Sequence, residues 1–320
     1  MNVRPDRRLF LTGLAAAGLS LALPRRAARA RQQGGAIYQR LWDLDQAGNG
    51  IEPLHPGARG DPDRGYVVVD EMGDGGDHVL FPEVVLPAAK RRTYDLATAI
   101  FPYYRLDQTK DERPTEATAQ AMLALLEAVA DTEVMAAAAL TVGRMTGRDT
   151  RGEAWLRLLF DVWFRPFDMG RNRDLSGFEH VVRGEQKQAA LSGQHWWYAY
   201  AQADDPDGPD GDRIRYDGLR YARRISSEGL PTPPEVVTLS YRWDALDAET
   251  GQSRPLGQEI GGFFVGCSIE GLMALGTVSF FQPDRPEPFT LGDGRYQMDL
   301  YRSPDGQSLR TFYPVYLGRV

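Results

Sequence analysis

Cysteine, histidine and lysine are the scarce residues of this 320-residue chain. Cys267 is the single cysteine, so no intrachain disulfide can staple the fold and stability must come from packing. The four histidines are His55, His78, His180 and His195, and no H-x-x-x-H or C-x-x-C pair occurs. That excludes the usual zinc-ligand spacings. Lysine occurs only at Lys90, Lys110 and Lys187, arginine carrying the rest of the positive charge. No internal repeat is present, and no apolar run is long enough to cross a bilayer. Positive charge is also in deficit: 37 basic residues face 44 acidic ones, a formal charge of −7. An acidic chain has no bulk attraction for phosphate polymers, so any such contact must come from a local cluster or a bound metal.

What is present begins at the N-terminus, MNVRPDRRLFLTGLAAAGLSLALPRRAARA. Arg7-Arg8 precede a short apolar run, and Ala28-Arg29-Ala30 follows it. The stretch resembles a twin-arginine export signal with an A-x-A cleavage site. The expectation is a signal peptide over residues 1–30, a periplasmic or secreted protein, and no stable membrane insertion after cleavage. Loss of those residues removes six arginines and one aspartate, leaving 31 basic against 43 acidic residues, about −12.

Residues 31–170 read as a helical lobe. Ala36–Leu44, Tyr94–Tyr104, Thr115–Ala130, Thr132–Val142 and Gly152–Phe164 carry apolar residues at i, i+3, i+4 spacing. Thr115 and Thr132 stand where N-caps belong. Residues 171–320 turn towards strands: Val236–Trp243 alternates Val237, Leu239, Tyr241 and Trp243, and β-rich runs follow at Phe263–Val265, Thr277–Phe281, Tyr296–Tyr301 and Leu309–Leu317. Helices are expected at Ser192–Ala203 and Ser268–Gly276, and a hairpin turn at Asp305-Gly306. Helices first and strands second predict an α+β fold. The acidic segment Asp204–Asp212 lacks the spacing and closing Glu of a calcium loop and reads as a solvated linker.

The chemistry concentrates in SGFEHVVRGEQKQAALSGQHWW, residues 176–197. His180 and His195 lie fifteen residues apart among glycines, aromatics and acids. Two imidazoles that titrate near neutrality suit a base and an acid. A helix beginning at Gly193, capped by Ser192, would put His195 in its first turn, where the dipole keeps imidazole neutral as a base requires. An extended backbone over GFEHVVRGE would set His180 and Glu179 on opposite faces.

FEHVVRGE and SGQHWW resemble the EndoU family of endoribonucleases, whose motifs read close to FEHVFVGE and SGFHNW. Further matching runs follow in family order: LWDLD at 41–45, DTEVMAAA at 131–138, LLFDVWF at 158–164, FFVGCSIEG at 263–271 and TFYP at 311–314. The resemblance implies a helical N-terminal lobe and a catalytic lobe of two small antiparallel sheets with flanking helices, in an exported bacterial member. It implies single-stranded RNA rather than DNA as substrate, cut at uridines to leave a 2′,3′-cyclic phosphate. It makes His195 the base, His180 the acid and Tyr313 a stacking platform for uracil. It links Glu179 and Glu185 to manganese dependence, either as ligands or by orienting the histidines.

One part of the pattern fails. The family's catalytic lysine has no counterpart in SRPLGQEIGGFFVGCSIEG. Alignment on Arg254-Pro255 makes Arg254 the substitute cation and puts Gln258 in the place of the family's uracil-selecting serine. Alignment on Phe264-Val265-Gly266 puts Gln258 at the lysine position and Gly262 at the serine. Arg254 is preferred, because charge building on a phosphate needs a cation. The alternative is a descendant that kept the fold and lost turnover, an RNA- or partner-binding module.

Overall fold

The computed structural model describes residues 22–71, 79–112, 114–204, 214–216, 232–246, 251–282 and 287–320. His78, most of the Asp204–Asp212 segment and residues 1–21 of the expected signal lie outside these. The first half is built on helices α1 (Ala22–Ala47), α2 (Arg91–Thr98), α3 (Glu116–Ala130), α4 (Glu133–Thr146) and α5 (Gly152–Trp163). Their starts follow from side-chain chemistry. Thr115 accepts from the Thr118 amide in a reciprocal capping box, and Thr132 accepts from the Met135 amide. Each hydroxyl satisfies an amide that the first helical turn leaves orphaned. Gly147, at φ 71°, closes α4 in the left-handed conformation.

Between α1 and α2 the chain forms a small sheet that periodicity did not announce: β1 (Glu52–Leu54), β2 (Tyr66–Val68) and β3 (Glu83–Val85). Three-residue strands among Gly, Pro and Asp are too short to show alternation.

The second half holds a two-stranded ribbon, β4 (Phe167–Met169) with β5 (Asn172–Leu175), and then a five-stranded sheet. That sheet contains β6 (Glu185–Lys187), β7 (Ala190–Ser192), β8 (Ile214–Tyr216), β9 (Val236–Leu246) and β10 (Ser253–Phe264), in the order β6-β7-β10-β9-β8. It is antiparallel except where β7 meets β10. A three-stranded antiparallel sheet closes the fold: β11 (Phe289–Leu291), β12 (Gly294–Arg302) and β13 (Leu309–Arg319). The α+β arrangement is as expected, and the Asp305-Gly306 turn joins β12 to β13.

Two helices depart from the sequence expectation. Helix α6 spans Trp197–Asp204 rather than starting at Gly193. Helix α7 runs Ile269–Phe281, so Thr277–Phe281 is helical and not a strand. The β-branched and aromatic TVSFF segment has strand propensity. However, every residue of α7 from Ile269 to Phe280 is buried, and burial on all sides removes the amphipathic signal. Polar anchors fix α7: the Trp163 indole donates to Thr277 Oγ1 at 2.9 Å, and Tyr38 bonds Ser279 at 2.9 Å. One hydrophobic core runs from Tyr38 to Tyr316 and joins helices to sheets. The lone Cys267 is buried in it, and its carbonyl accepts from the indoles of Trp196 and Trp197 at 3.3 and 2.8 Å. Among the described residues no helix is long and apolar enough to cross a membrane.

Candidate active site

A cleft of about 900 Å³ opens between the five-stranded and three-stranded sheets, and both His180 and His195 line it. His180 sits on a π-helical turn, Glu179–Arg183, not on extended backbone. Such turns are rare and concentrate at functional sites. Gly184, at φ 87°, ends the turn and sends the chain into β6. His195 follows β7 and precedes α6 by one residue, so it occupies a tight loop and not a helical turn. Gly193 has φ 87°, and a Cβ there would lie 1.9 Å from the His180 carbonyl oxygen. Only glycine allows that approach. It lets the Gln194 amide donate to that same oxygen at 2.8 Å. The S-G-Q-H spacing thus clips the two histidine segments side by side, with ring centroids 6.3 Å apart.

The two imidazoles are in different electrostatic settings. His195 Nδ1 lies 3.0 Å from the Gly262 carbonyl. A carbonyl only accepts, so Nδ1 carries the hydrogen and the neutral ring keeps its lone pair on Nε2. Burial, with His180 beside it, pushes the His195 pKa down to about 3. The neutrality expected of a base is therefore present, but desolvation causes it and not a helix dipole. His180 Nδ1 is 3.1 Å from Glu185 Oε2 and donates to it. Burial lowers the His180 pKa as well, while Glu185 opposes the fall and Arg310 adds to it. With a carboxylate for a partner, His180 is the ring better placed to hold a second proton.

Glu185 is fully buried. Burial alone would raise its pKa, but His180 and Arg310 hold it down to about 2. Arg310 grips it bidentately, Nη1 to Oε1 at 3.1 Å and Nη2 to Oε2 at 3.0 Å. Gln108 also donates to Oε2. Glu179 is buried and does not line the cleft. Burial, then the charges of Glu185 and Glu112, push its pKa well above the usual range. That direction favours its protonated form, with Glu112 as the acceptor of its hydrogen.

These surroundings do not fit a manganese ion held by Glu179 and Glu185. Both oxygens of Glu185 are committed to a guanidinium whose charge would repel a dication, and Glu179 is buried away from the cleft where its charged form is disfavoured. Among the described residues no three His, Cys, Asp or Glu side chains are grouped to hold a metal. Of the two roles the resemblance allowed these glutamates, the structure supports orientation for Glu185.

Tyr313 lines the cleft from β13 and stacks on His195, centroids 4.8 Å apart at 29°. Gln258 also lines it, but its amide nitrogen is committed to the Gly193 carbonyl at 3.1 Å and supports the His195 loop. A bulge between Gln258 and Gly261 follows it in the β9–β10 ladder. Arg254 pairs with Ala245 in that ladder, four residues or about 13 Å of strand before Gln258. Its side chain is outside the described residues. His55 does not line the cleft.

Sequence reasoning passed over Arg310 and Gln108. Arg310 had a readable signal: in LRTFYPVYL the even positions Phe312, Pro314 and Tyr316 face inwards and are buried, so Arg310 on that parity required an acid. Gln108 lies in a loop, with no such signal.

The family model described as Endoribonuclease XendoU matches residues 35–314. A uridylate-specific endoribonuclease EndoU of Drosophila melanogaster is 28% identical over 200 residues, which cover 61% of this chain and 55% of that protein. Poly(U)-specific endoribonuclease-A of Xenopus laevis is 24% identical, with 88% and 92% covered. A solved structure titled as XendoU, a splicing independent snoRNA processing endoribonuclease, superposes with a TM-score of 0.68 at 22% identity. It covers 89% of this chain and 97% of that one, and shows the shared fold.

Proposed function

The chain belongs to the XendoU endoribonuclease family, and from that premise we propose that it cleaves single-stranded RNA at uridines by attack of the 2′-hydroxyl. The observation that carries this reading is the pair of imidazoles with unlike partners lining one cleft. His195 Nε2 takes the 2′-hydroxyl proton, and the 2′-oxygen bonds to phosphorus. His180, protonated when the phosphodiester anion offsets the cost of burying its charge, gives its Nε2 proton to the departing 5′-oxygen. The products are a 2′,3′-cyclic phosphate and a 5′-hydroxyl. The Gly262 carbonyl and the Glu185 carboxylate fix the two tautomers.

Tyr313 offers a ring face on which a pyrimidine stacks, a contact that tolerates any base. Selection for uracil then falls to polar groups. One hydrogen of the Gln258 amide goes to the Gly193 carbonyl, which leaves a base its second N–H and its carbonyl oxygen, the latter an acceptor suited to the N3–H of uracil. Manganese, if the enzyme responds to it, acts elsewhere than on Glu179 and Glu185. The resemblance of residues 1–30 to a twin-arginine signal supports action outside the cytoplasm, and N-terminal sequencing of protein recovered from the periplasm or medium tests that.

The direct test is an oligoribonucleotide with a single uridine beside the same oligomer with 2′-deoxyuridine at that position. Cleavage of the first alone, lost in His195→Ala, is expected. Cleavage of both would remove the 2′-hydroxyl from the mechanism.

A further inference from the structure

The family's catalytic lysine has no counterpart on β10. Of the three lysines, Lys90 is held by the Gly50 carbonyl at 2.6 Å, and Lys110 is in the loop after Asp107. Lys187, at the end of β6, is exposed and lines the cleft. Strand register shows what lies beside it. Lys187 pairs with Ala190, Ala190 with Gly257, and Gly257 with Arg242. Residues paired across strands project from the same face of a sheet. Lys187 and Arg242 therefore stand at the two ends of one row, three strand spacings or about 14 Å apart.

The middle of the row is bare: a Cβ on Gly257 would meet nothing within 4 Å, and all four residues line the cleft. The face is also the one that carries the reacting groups. Glu185, two residues before Lys187 on β6, shares its side and holds His180. Lys187 is near enough to contribute to the lowering of the His180 pKa. The cleft otherwise carries the carboxylates Glu259 and Asp299, so without these cations a phosphodiester would meet net negative charge.

We propose that Lys187 and Arg242 form a phosphate cradle with Gly257 as its floor, Lys187 supplying at the scissile phosphate the positive charge that the family pattern puts on β10. The proposal rests on the RNA-cleaving reading above. A long cationic side chain on either side of a floor made by Ala190 and Gly257 suits an extended backbone, whose phosphates the two ends would meet.

The test uses the full chain and separates binding from turnover. Lys187→Met, Lys187→Arg and Arg242→Met are compared with wild type and with Lys110→Met, a cation outside the cleft. Affinity for an uncleavable oligomer with 2′-deoxyuridine at the target position is measured across salt, beside kcat and KM for the cleavable one. Each methionine variant in the cradle should flatten the log–log salt dependence by about 0.7, one phosphate contact. Lys187→Met should in addition lower kcat by about 100-fold, as loss of a charge-stabilising donor does, and Lys187→Arg should recover most of it. Lys110→Met should match wild type in both. Wild-type salt slope and kcat in Lys187→Met and Arg242→Met would overturn the cradle. If wild type cleaves nothing while the salt slopes still change, the nuclease reading fails and the cradle stands as a binding site.

Discussion

Glu185→Gln keeps the shape of the side chain and removes its charge, which separates two roles that one carboxylate plays. Glu185 is fully buried, anionic, and shared between Arg310 and His180. With glutamine there, Arg310, itself 8% exposed, becomes a buried cation without its anion. Removing one partner of a buried pair costs about 3–5 kcal/mol. The second effect is on His180. A carboxylate 3.1 Å from the ring favours imidazolium by about 5 kcal/mol at an effective dielectric near 20. Even if relaxation recovers half of that, the protonated acid becomes roughly 100-fold rarer. Glu185→Gln should therefore melt well below wild type, and kcat for a single-uridine oligomer should fall by about two orders of magnitude with little change in KM. Adding Arg310→Met removes the orphaned cation, so the double variant should regain stability and remain slow. Manganese should rescue neither variant. A Glu185→Gln enzyme with wild-type melting temperature and kcat would refute the reasoning. Rescue of activity by manganese, or saturable manganese binding that Glu185→Gln abolishes, would make the carboxylate a metal ligand instead.

Three further outcomes follow from particular contacts. Tyr313→Ala should weaken binding of uridine oligomers by about 1–3 kcal/mol, the worth of one stacked base, while Tyr313→Phe keeps it; equal loss in both would point to the hydroxyl. Gly193→Ala should abolish cleavage, because its Cβ would collide with the His180 carbonyl; near-wild-type activity would show that the two histidine segments need not be clipped together. Asp45, 1% exposed beside Glu270, has its pKa raised to about 7 by burial and then by that neighbour. A raised carboxyl contributes stability at low pH that is lost as pH rises from about 4 to 7, here on the order of 4 kcal/mol. Denaturant titrations should show Asp45→Asn faring better against wild type at pH 8 than at pH 5, and a pH-independent difference would contradict the assignment.

How much of this was legible in the sequence depended on whether the signal was local. Thr115 and Thr132 announced their helices because a cap is a few residues long; β9 announced itself by alternation, and β12 and β13 by their β-rich composition. Helix α7 misled because buried on all sides it has no polar face, which left only the strand propensity of TVSFF. The histidine pair was readable from residue chemistry and motif, but its setting was not. His180 was expected on extended backbone and stands on a π turn. His195 was expected to be neutralised by a helix and is neutralised by burial. The family resemblance linked Glu185 to manganese, as ligand or by orienting the histidines, and its partner Arg310 went unseen because it is 125 residues away in the chain and long-range charge pairs leave no local trace. The cation question shows the same limit: searching around β10 found Arg254, whereas strand register brings Lys187 from β6 into the cleft.

The most direct test of the account is the chemistry of the new RNA end. A single-uridine oligoribonucleotide, cut by wild-type protein and by His195→Ala and His180→Ala controls, is read by mass spectrometry of the 5′ fragment. The account predicts a 2′,3′-cyclic phosphate 3′ to the uridine with wild type, and intact RNA with both variants. A linear phosphate formed without any cyclic precursor, or the cyclic product surviving in His195→Ala, would contradict the claim that these two histidines carry the reaction.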